Sequence, residues 1–214
     1  TGQVSLGVGF SSLDGPLGDI GISERNLLGR GQNLSFRFQG SAKRQEFDIG
    51  FTEPYFLNRD VAAGFDLFQI TRDRQSDSSF DERKAGGALR LGYTLAPDLR
   101  QSLRYQLRRT EIRNGKSEAS RFIREQEGKA TVSQVSQTLT LDKRDNRTDP
   151  WDGYIVSFTT DLAGLGGDTR LPRARVRSGY YLSIFEDKVL SFLLQGGHVL
   201  GLGEDVGIAE RFFA

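Results

Sequence analysis

Cysteine and methionine are both absent from the 214 residues, and histidine and tryptophan occur once each. Without cysteine there is no disulfide framework, no thiol nucleophile and no zinc site of the cysteine type. No run of about 18 apolar residues exists, which excludes a transmembrane helix. Neither sign of charge dominates, with 29 Lys and Arg against 28 Asp and Glu. No basic face stands out that would nominate nucleic acid as a partner. The lack of methionine, and a start at Thr1 with no signal peptide, point to a processed or excised piece of a longer protein.

What is present is a strict alternation of apolar and polar residues, repeated in stretches of seven to ten residues along the whole chain. In Leu34-Ser35-Phe36-Arg37-Phe38-Gln39 the apolar residues fall on one side of an extended chain and the polar residues on the other. The stretches 89–95 and 103–108 place Arg90, Arg104 and Arg108 on the non-apolar side, which suits a wet interior better than a dry core. A mean hydropathy of −0.45 taken alone would suggest a soluble protein, but it does not decide the matter, because a barrel strand needs only every second residue apolar. The expected fold class is all-β, a transmembrane antiparallel meander β-barrel in one domain over 1–214. A soluble sandwich would hide its apolar face against a second sheet and would rarely repeat arginine at inward positions.

Period-two segments and turn residues predict about eleven strands, at 3–11, 18–26, 31–40, 45–53, 60–71, 85–95, 100–111, 131–143, 153–163, 172–184 and 189–199. The longest, most charged connectors, 72–84 and 111–130, are separated by two strands and therefore share one side of a meander. The connectors 53–59, 96–99, 145–153 and 186–188 fall on the other, and outer-membrane barrels put short turns in the periplasm. Tyr55, Phe56, Tyr93, Trp151, Tyr154, Tyr180, Tyr181 and Phe185 cluster near the short-turn side, as in an aromatic girdle.

Enzymatic chemistry finds no support in the sequence. His198 sits beside Gly196 and Gly197 in a predicted strand, with no Ser-His-Asp arrangement around it, and reads as structural. Asp142, Asp145, Asp149 and Asp152 lack the order of a calcium loop. Turn chemistry accounts for them better: Asp149-Pro150 starts a turn, and Gly153 tolerates positive φ. Gly7-Val8-Gly9 and Gly29-Arg30-Gly31 match no phosphate-binding motif. No cofactor and no metal are implied.

Three stretches carry a family likeness. They are Ser23-Glu24-Arg25-Asn26-Leu27-Leu28-Gly29-Arg30-Gly31, Phe51-Thr52-Glu53-Pro54-Tyr55-Phe56, and Leu141-Asp142-Lys143-Arg144-Asp145-Asn146-Arg147 continuing through Asp149-Pro150 to Gly153-Tyr154. In order, over nearly the whole chain, they resemble the BamA family of outer-membrane assembly factors, the bacterial surface antigen barrels. The resemblance implies periplasmic POTRA domains upstream of a barrel of roughly sixteen strands, an even number as in bacterial barrels. It also implies that Glu210-Arg211-Phe212-Phe213-Ala214 approaches the sixth extracellular loop and that the last barrel strands are missing. A sister family, TamA, shares the architecture, but the Glu53-Pro54-Tyr55-Phe56 stretch looks more like BamA.

In the resembling family the seam between first and last strands is a lateral gate. Here its first strand is formed by Val4, Ser5, Leu6, Gly7, Val8, Gly9 and Phe10. Two glycines remove side-chain contacts and raise the cost of ordering, so weak pairing with the closing strand is expected. Assembly and insertion of nascent outer-membrane barrel proteins is the leading function. The partners are then those barrel proteins, the lipid bilayer and, by resemblance, accessory assembly lipoproteins, and the location is the bacterial outer membrane. The alternatives are a TamA-like or two-partner secretion barrel, with Arg37, Arg90, Arg104 and Arg108 lining a passenger path, or a passive porin.

Overall fold

The computed structural model describes residues 2–12, 15–73, 81–113, 128–164, 172–185 and 187–199. It contains eleven strands: β1 Gly2–Ser11, β2 Gly15–Leu27, β3 Gln32–Ser41, β4 Arg44–Glu53, β5 Val61–Asp73, β6 Asp81–Ala96, β7 Leu99–Arg113, β8 Gly128–Asp142, β9 Gly153–Ala163, β10 Pro172–Phe185 and β11 Lys188–Val199. All pair antiparallel with their sequence neighbours in one sheet of order β1 to β11. The shortest has 10 residues, enough for a tilted strand to cross a hydrocarbon core that needs about 9–11. Each predicted strand is present. The charged connectors 72–84 and 111–130, the turn residue Glu186 and the segment Glu210 to Ala214 lie wholly or largely outside the described residues.

Register carries the alternation from strand to strand, so that it becomes a property of whole faces. Leu6 lies opposite Ile20, Ile20 opposite Phe38, and Phe38 opposite Phe47. Phe51, Phe65, Leu89 and Tyr105 form a similar row. Phe36 meets Phe47 edge to face at 5.1 Å, and Phe51 stacks on Phe65 at 5.6 Å. No second sheet covers this apolar face among the described residues. Ala88 and Val132 are the buried apolar residues of the described chain, whereas large side chains such as Leu67, Leu89 and Phe158 stand exposed. A soluble fold does not leave so large an apolar surface in water. A barrel wall leaves it for lipid.

The opposite face is polar. It carries Arg37, Asp48 and Arg108 in one row, and Arg90, Arg104, Asp161 and Arg173 in another. Threonine and serine pair across it, with Thr138 Oγ1 3.0 Å from Thr159 Oγ1 and Thr140 Oγ1 3.2 Å from Ser157 Oγ.

At the short-turn end several of the expected girdle aromatics share the apolar face. Tyr154 lies opposite Tyr180, and the Tyr93 hydroxyl donates to Gln101 Oε1 at 3.0 Å. Tyr181 departs from that expectation. Its register partner is Gly153, one residue out of phase with the Tyr154–Tyr180 pair, which puts it on the polar face. There the Arg144 guanidinium stands 6.0 Å from its ring centroid. Adjacent positions on a strand point to opposite faces, so Tyr180 and Tyr181 cannot both belong to a girdle.

Candidate strand-pairing edge and the wall behind it

β1 is a terminal strand of the sheet, with β2 as its described neighbour. Its alternation sends Val4, Leu6, Val8 and Phe10 to the apolar face and Ser5, Gly7 and Gly9 to the polar one. The apolar set is 67% to 96% exposed, as any strand with one described neighbour is; Leu193 and Leu194 of β11, at the other end of the sheet, are 76% and 71% exposed. On the polar face the Ser5 hydroxyl donates to the Gly21 carbonyl at 3.4 Å. A methyl group at Gly7 would stand 3.6 Å from Asp19 Cβ, and one at Gly9 would stand 3.3 Å from the Leu17 side chain. Six glycines fall within β1 and β2. Each weakens a strand by removing contacts and by increasing the entropy lost on ordering.

Further round the sheet the polar face is tied together by charge. Arg90 and Arg104 are direct register partners, an arrangement of like charges that would repel by itself. Asp66 resolves it by sitting on the diagonal, with Arg90 Nη2 at 2.9 Å and Arg104 Nη1 at 3.0 Å from its two carboxylate oxygens. Arg90 also donates to Thr52 Oγ1 at 3.1 Å. It reaches there by lying across Gly64, where a methyl group would stand 3.2 Å from its Nη2 and 2.5 Å from the Phe51 carbonyl. One carboxylate therefore joins β5, β6 and β7, and one arginine joins β6 to β4. Arg37 pairs with Asp19 at 3.4 Å and Arg175 with Asp161 at 3.7 Å. The four predicted arginines do share the polar face, Arg108 beyond Gly86. Arg37 pairs with Asp19, and Arg90 and Arg104 share Asp66, so they do not form a bare cationic stripe. Asp19, Asp66 and Asp161 escaped the sequence reading. Arg173, Arg175 and Arg177 did too, although their alternation was readable in the sequence.

The three motif stretches all come to the short-turn end, and each folds its own backbone around a polar side chain. After β2, Asn26 Oδ1 accepts the Gly31 N–H at 2.7 Å, while Leu28, Gly29 and Gly31 take positive φ. After β4, Glu53 accepts the Tyr55 N–H at 3.1 Å and the Gln32 side-chain N–H at 2.6 Å, linking this turn to the previous one. Proline follows at once and ends the ladder because it has no donor. After β8, Asp142 takes Arg144 in a two-pronged ion pair at 2.8 and 2.9 Å. Asp145 Oδ1 accepts the N–H groups of Asn146, Trp151 and Asp152 at 2.8 to 3.1 Å. The backbone donation from Asp152 leads in holding the Asp145 carboxyl below its ordinary value. Gly153 closes the turn at φ +102°, where any Cβ would strike the Lys143 carbonyl. Two members of the acidic cluster thus serve turn and ion-pair geometry, as an Asx-type reading expects.

A single antiparallel meander sheet with a lipid-facing apolar surface and a charged, internally paired polar surface defines the wall of an outer-membrane-type β-barrel. The chain belongs to the Omp85 superfamily, whose domain matches residues 26–214. It is 30% identical over its full length to the outer membrane protein assembly factor BamA of Neorickettsia risticii, of which it spans 29%. It is 26% identical over 91% of its length to the sorting and assembly machinery component 50 homolog of Xenopus tropicalis, of which it spans 42%. The crystal structure of BamA from Haemophilus ducreyi lacking POTRA domains 1–3 superposes on the whole chain with a TM-score of 0.78 at 18% identity, the chain covering 44% of it. That likeness concerns the fold. The chain spans under a third of the bacterial relative's length.

Proposed function

We propose that this chain is the first part of a barrel that assembles and inserts β-barrel proteins into the bacterial outer membrane, with β1 as a template edge at a lateral gate. The observation that carries the reading is the construction of β1. It is the first strand of the sheet, with an apolar row, two glycines on its polar face and little side-chain bracing, in a chain whose relatives are named as an outer membrane protein assembly factor and a sorting and assembly machinery component homolog. A strand edge offers backbone N–H and C=O groups to an incoming strand. In lipid each such group left unpaired costs several kcal/mol, so a nascent strand gains by pairing with β1 before its own barrel closes. No covalent step, nucleotide or cofactor is needed, since the driving force is new backbone hydrogen bonds together with burial of apolar faces in lipid.

On this reading the polar face carrying Arg37, Arg90, Arg104 and Arg108 lines the lumen. Periplasmic POTRA domains precede the barrel, further strands complete it, and accessory lipoproteins bind mostly outside this segment. The test places a photo-crosslinking residue at Gly7 or Val8 in the full-length protein, in cells. Capture of many different outer-membrane barrels through their terminal strands is the expected result. Capture of one secreted passenger would replace the reading with a secretion barrel, and capture of nothing with a closed pore.

A further inference from the structure

Several glycines on the polar face have a large register partner lying over them, whereas Gly21 and Gly50 face the small Ser5 and Ser35. A methyl group at Gly86 would stand 2.9 Å from the ring of its partner Phe68, and one at Gly64 would stand 3.2 Å from its partner Arg90. At Gly179 it would meet Ile155 and Leu193, its partners on either side, both at 3.2 Å. At Gly9 it would meet its partner Leu17. In each case the neighbouring strand fills the space that glycine leaves, which recovers contact the glycine forfeits. Gly92 is open, but it is flanked on both sides by small partners, Ala62 and Ser102. At Gly7 the described partner is Asp19, which touches the position through Cβ at 3.6 Å, and the other flank is the edge of the sheet.

We infer that the strand which pairs with β1 sets a large side chain, tyrosine foremost, directly opposite Gly7 on the polar face. The inference rests on the reading of β1 as a template and adds what that template selects. A tyrosine ring would lie flat across Gly7 as Phe68 lies across Gly86. Its hydroxyl would end near the Asp19–Arg37 ion pair, a polar surrounding that a phenol satisfies better than a phenyl ring. The flanking guest residues fall on the apolar face beside Leu6 and Val8, which are 78% and 96% exposed and call for aliphatic or aromatic partners. The substrate class is therefore a strand of alternating pattern in which one inward position is bulky and aromatic.

This segment has no cysteine, so a thiol introduced here is the only one once any cysteine elsewhere in the full-length protein is replaced by serine. In the full-length protein in liposomes, a Ser5→Cys variant is paired with synthetic amphipathic strand peptides of about ten residues. A cysteine walked along the peptide fixes the register by disulfide yield. The guest residue opposite Gly7 is then varied as tyrosine or alanine. Tyrosine guests should be captured roughly two- to fivefold better than alanine guests. Gly7→Val should abolish that preference by filling the slot, and leave alanine guests unaffected. Gly7→Ala should reduce it partway. Equal capture of both guests by the Ser5→Cys protein, or equal loss of both with Gly7→Val and Gly7→Ala, would overturn the slot while leaving the template intact. Absence of capture at every peptide position would overturn the template reading and the slot with it.

Discussion

The β1–β2 hairpin and the wall from β4 to β7 are built from the same alternating pattern, yet they are held together differently. Six glycines fall among the 23 residues of the hairpin and five among the 54 of the wall. In the wall, glycine makes room for a brace: Gly64 lets Arg90 lie flat on its way to Thr52, and Asp66 clasps Arg90 and Arg104 together. In the hairpin, Gly18 has open space and Gly7 meets only Asp19 Cβ, although Gly92 in the wall is open as well. Backbone ladders are similar in both, so the contrast lies in side chains. The proposed template role of β1 is served by that division.

Removing the brace gives the largest expected effect. Asp66→Ala leaves two directly opposed arginines on a half-buried face without their shared counter-ion. The loss of a buried partner is discounted here because all three side chains retain some solvent, giving about 2–3 kcal/mol of destabilisation. Urea unfolding of the barrel in detergent micelles should show it, with Asp66→Asn recovering part through its remaining acceptor. An unchanged midpoint would mean that the wall owes its rigidity to the backbone ladder alone.

Gly153→Ala attacks the braced side at a turn. The residue sits at φ +102°, and its Cβ would collide with the Lys143 carbonyl. About 1–2 kcal/mol is expected from strain at a position that side chains rarely adopt. Hydrogen exchange should quicken first at Lys143 and Asp145, whose N–H groups bond across this turn to Tyr154 and Asp152.

The reverse experiment stiffens the hairpin. Gly18 lies opposite Val8 on the apolar face with open space around it. Gly18→Val adds strand propensity and covers Val8, for a gain of about 0.5–1 kcal/mol in the hairpin. Slower exchange of β1 amides is the readout. If exchange is unchanged, glycine content is not what distinguishes the hairpin from the wall.

Every strand was legible in the sequence because the period of two is written residue by residue, and 34–39 displays it without any partner. Sidedness was legible for the same reason, and it placed all four predicted arginines on one face. What could not be read was who meets whom across that face. Asp66 reaches Arg90 and Arg104 only because Asp66 pairs with Ala88, and Arg90 with Arg104, in one specific register. A slip of one residue would have moved Asp66 to the apolar face, and strand ends read from sequence are less certain than that. Tyr181 departs from the girdle for a related reason: nearness to the turn groups it with Tyr180, but the phase of the strand sends it to the polar face. Positive φ at Leu28, Leu57 and Asn58 carried no glycine signal to announce it.

The smallest effect is a change of pH confined to the turn between β8 and β9. Asp145 accepts three backbone N–H groups there, and its carboxyl is held below the ordinary value. At pH well above about 4, the ordinary aspartate value, the group is ionised whether the turn is closed or open, and the cap contributes fully. As pH falls through that value, an open turn takes up a proton while the closed one does not, so the contribution shrinks. It is gone once pH drops below the lowered value of the closed turn. Trp151, the single tryptophan of the chain, donates its N–H to Asp145 and reports the event by fluorescence. Its emission should hold steady above about pH 5 and change below about pH 4. The indole Nε1 also donates to Asp149 at 3.4 Å, so the Asp145→Asn variant decides whether the change comes from Asp145. Its carboxamide oxygen keeps the cap and has no proton to take up, and the acid change should flatten. Persistence of the full change in Asp145→Asn would mean that Asp145 is not its source and leave the turn held by Gly153 and the strand ladder.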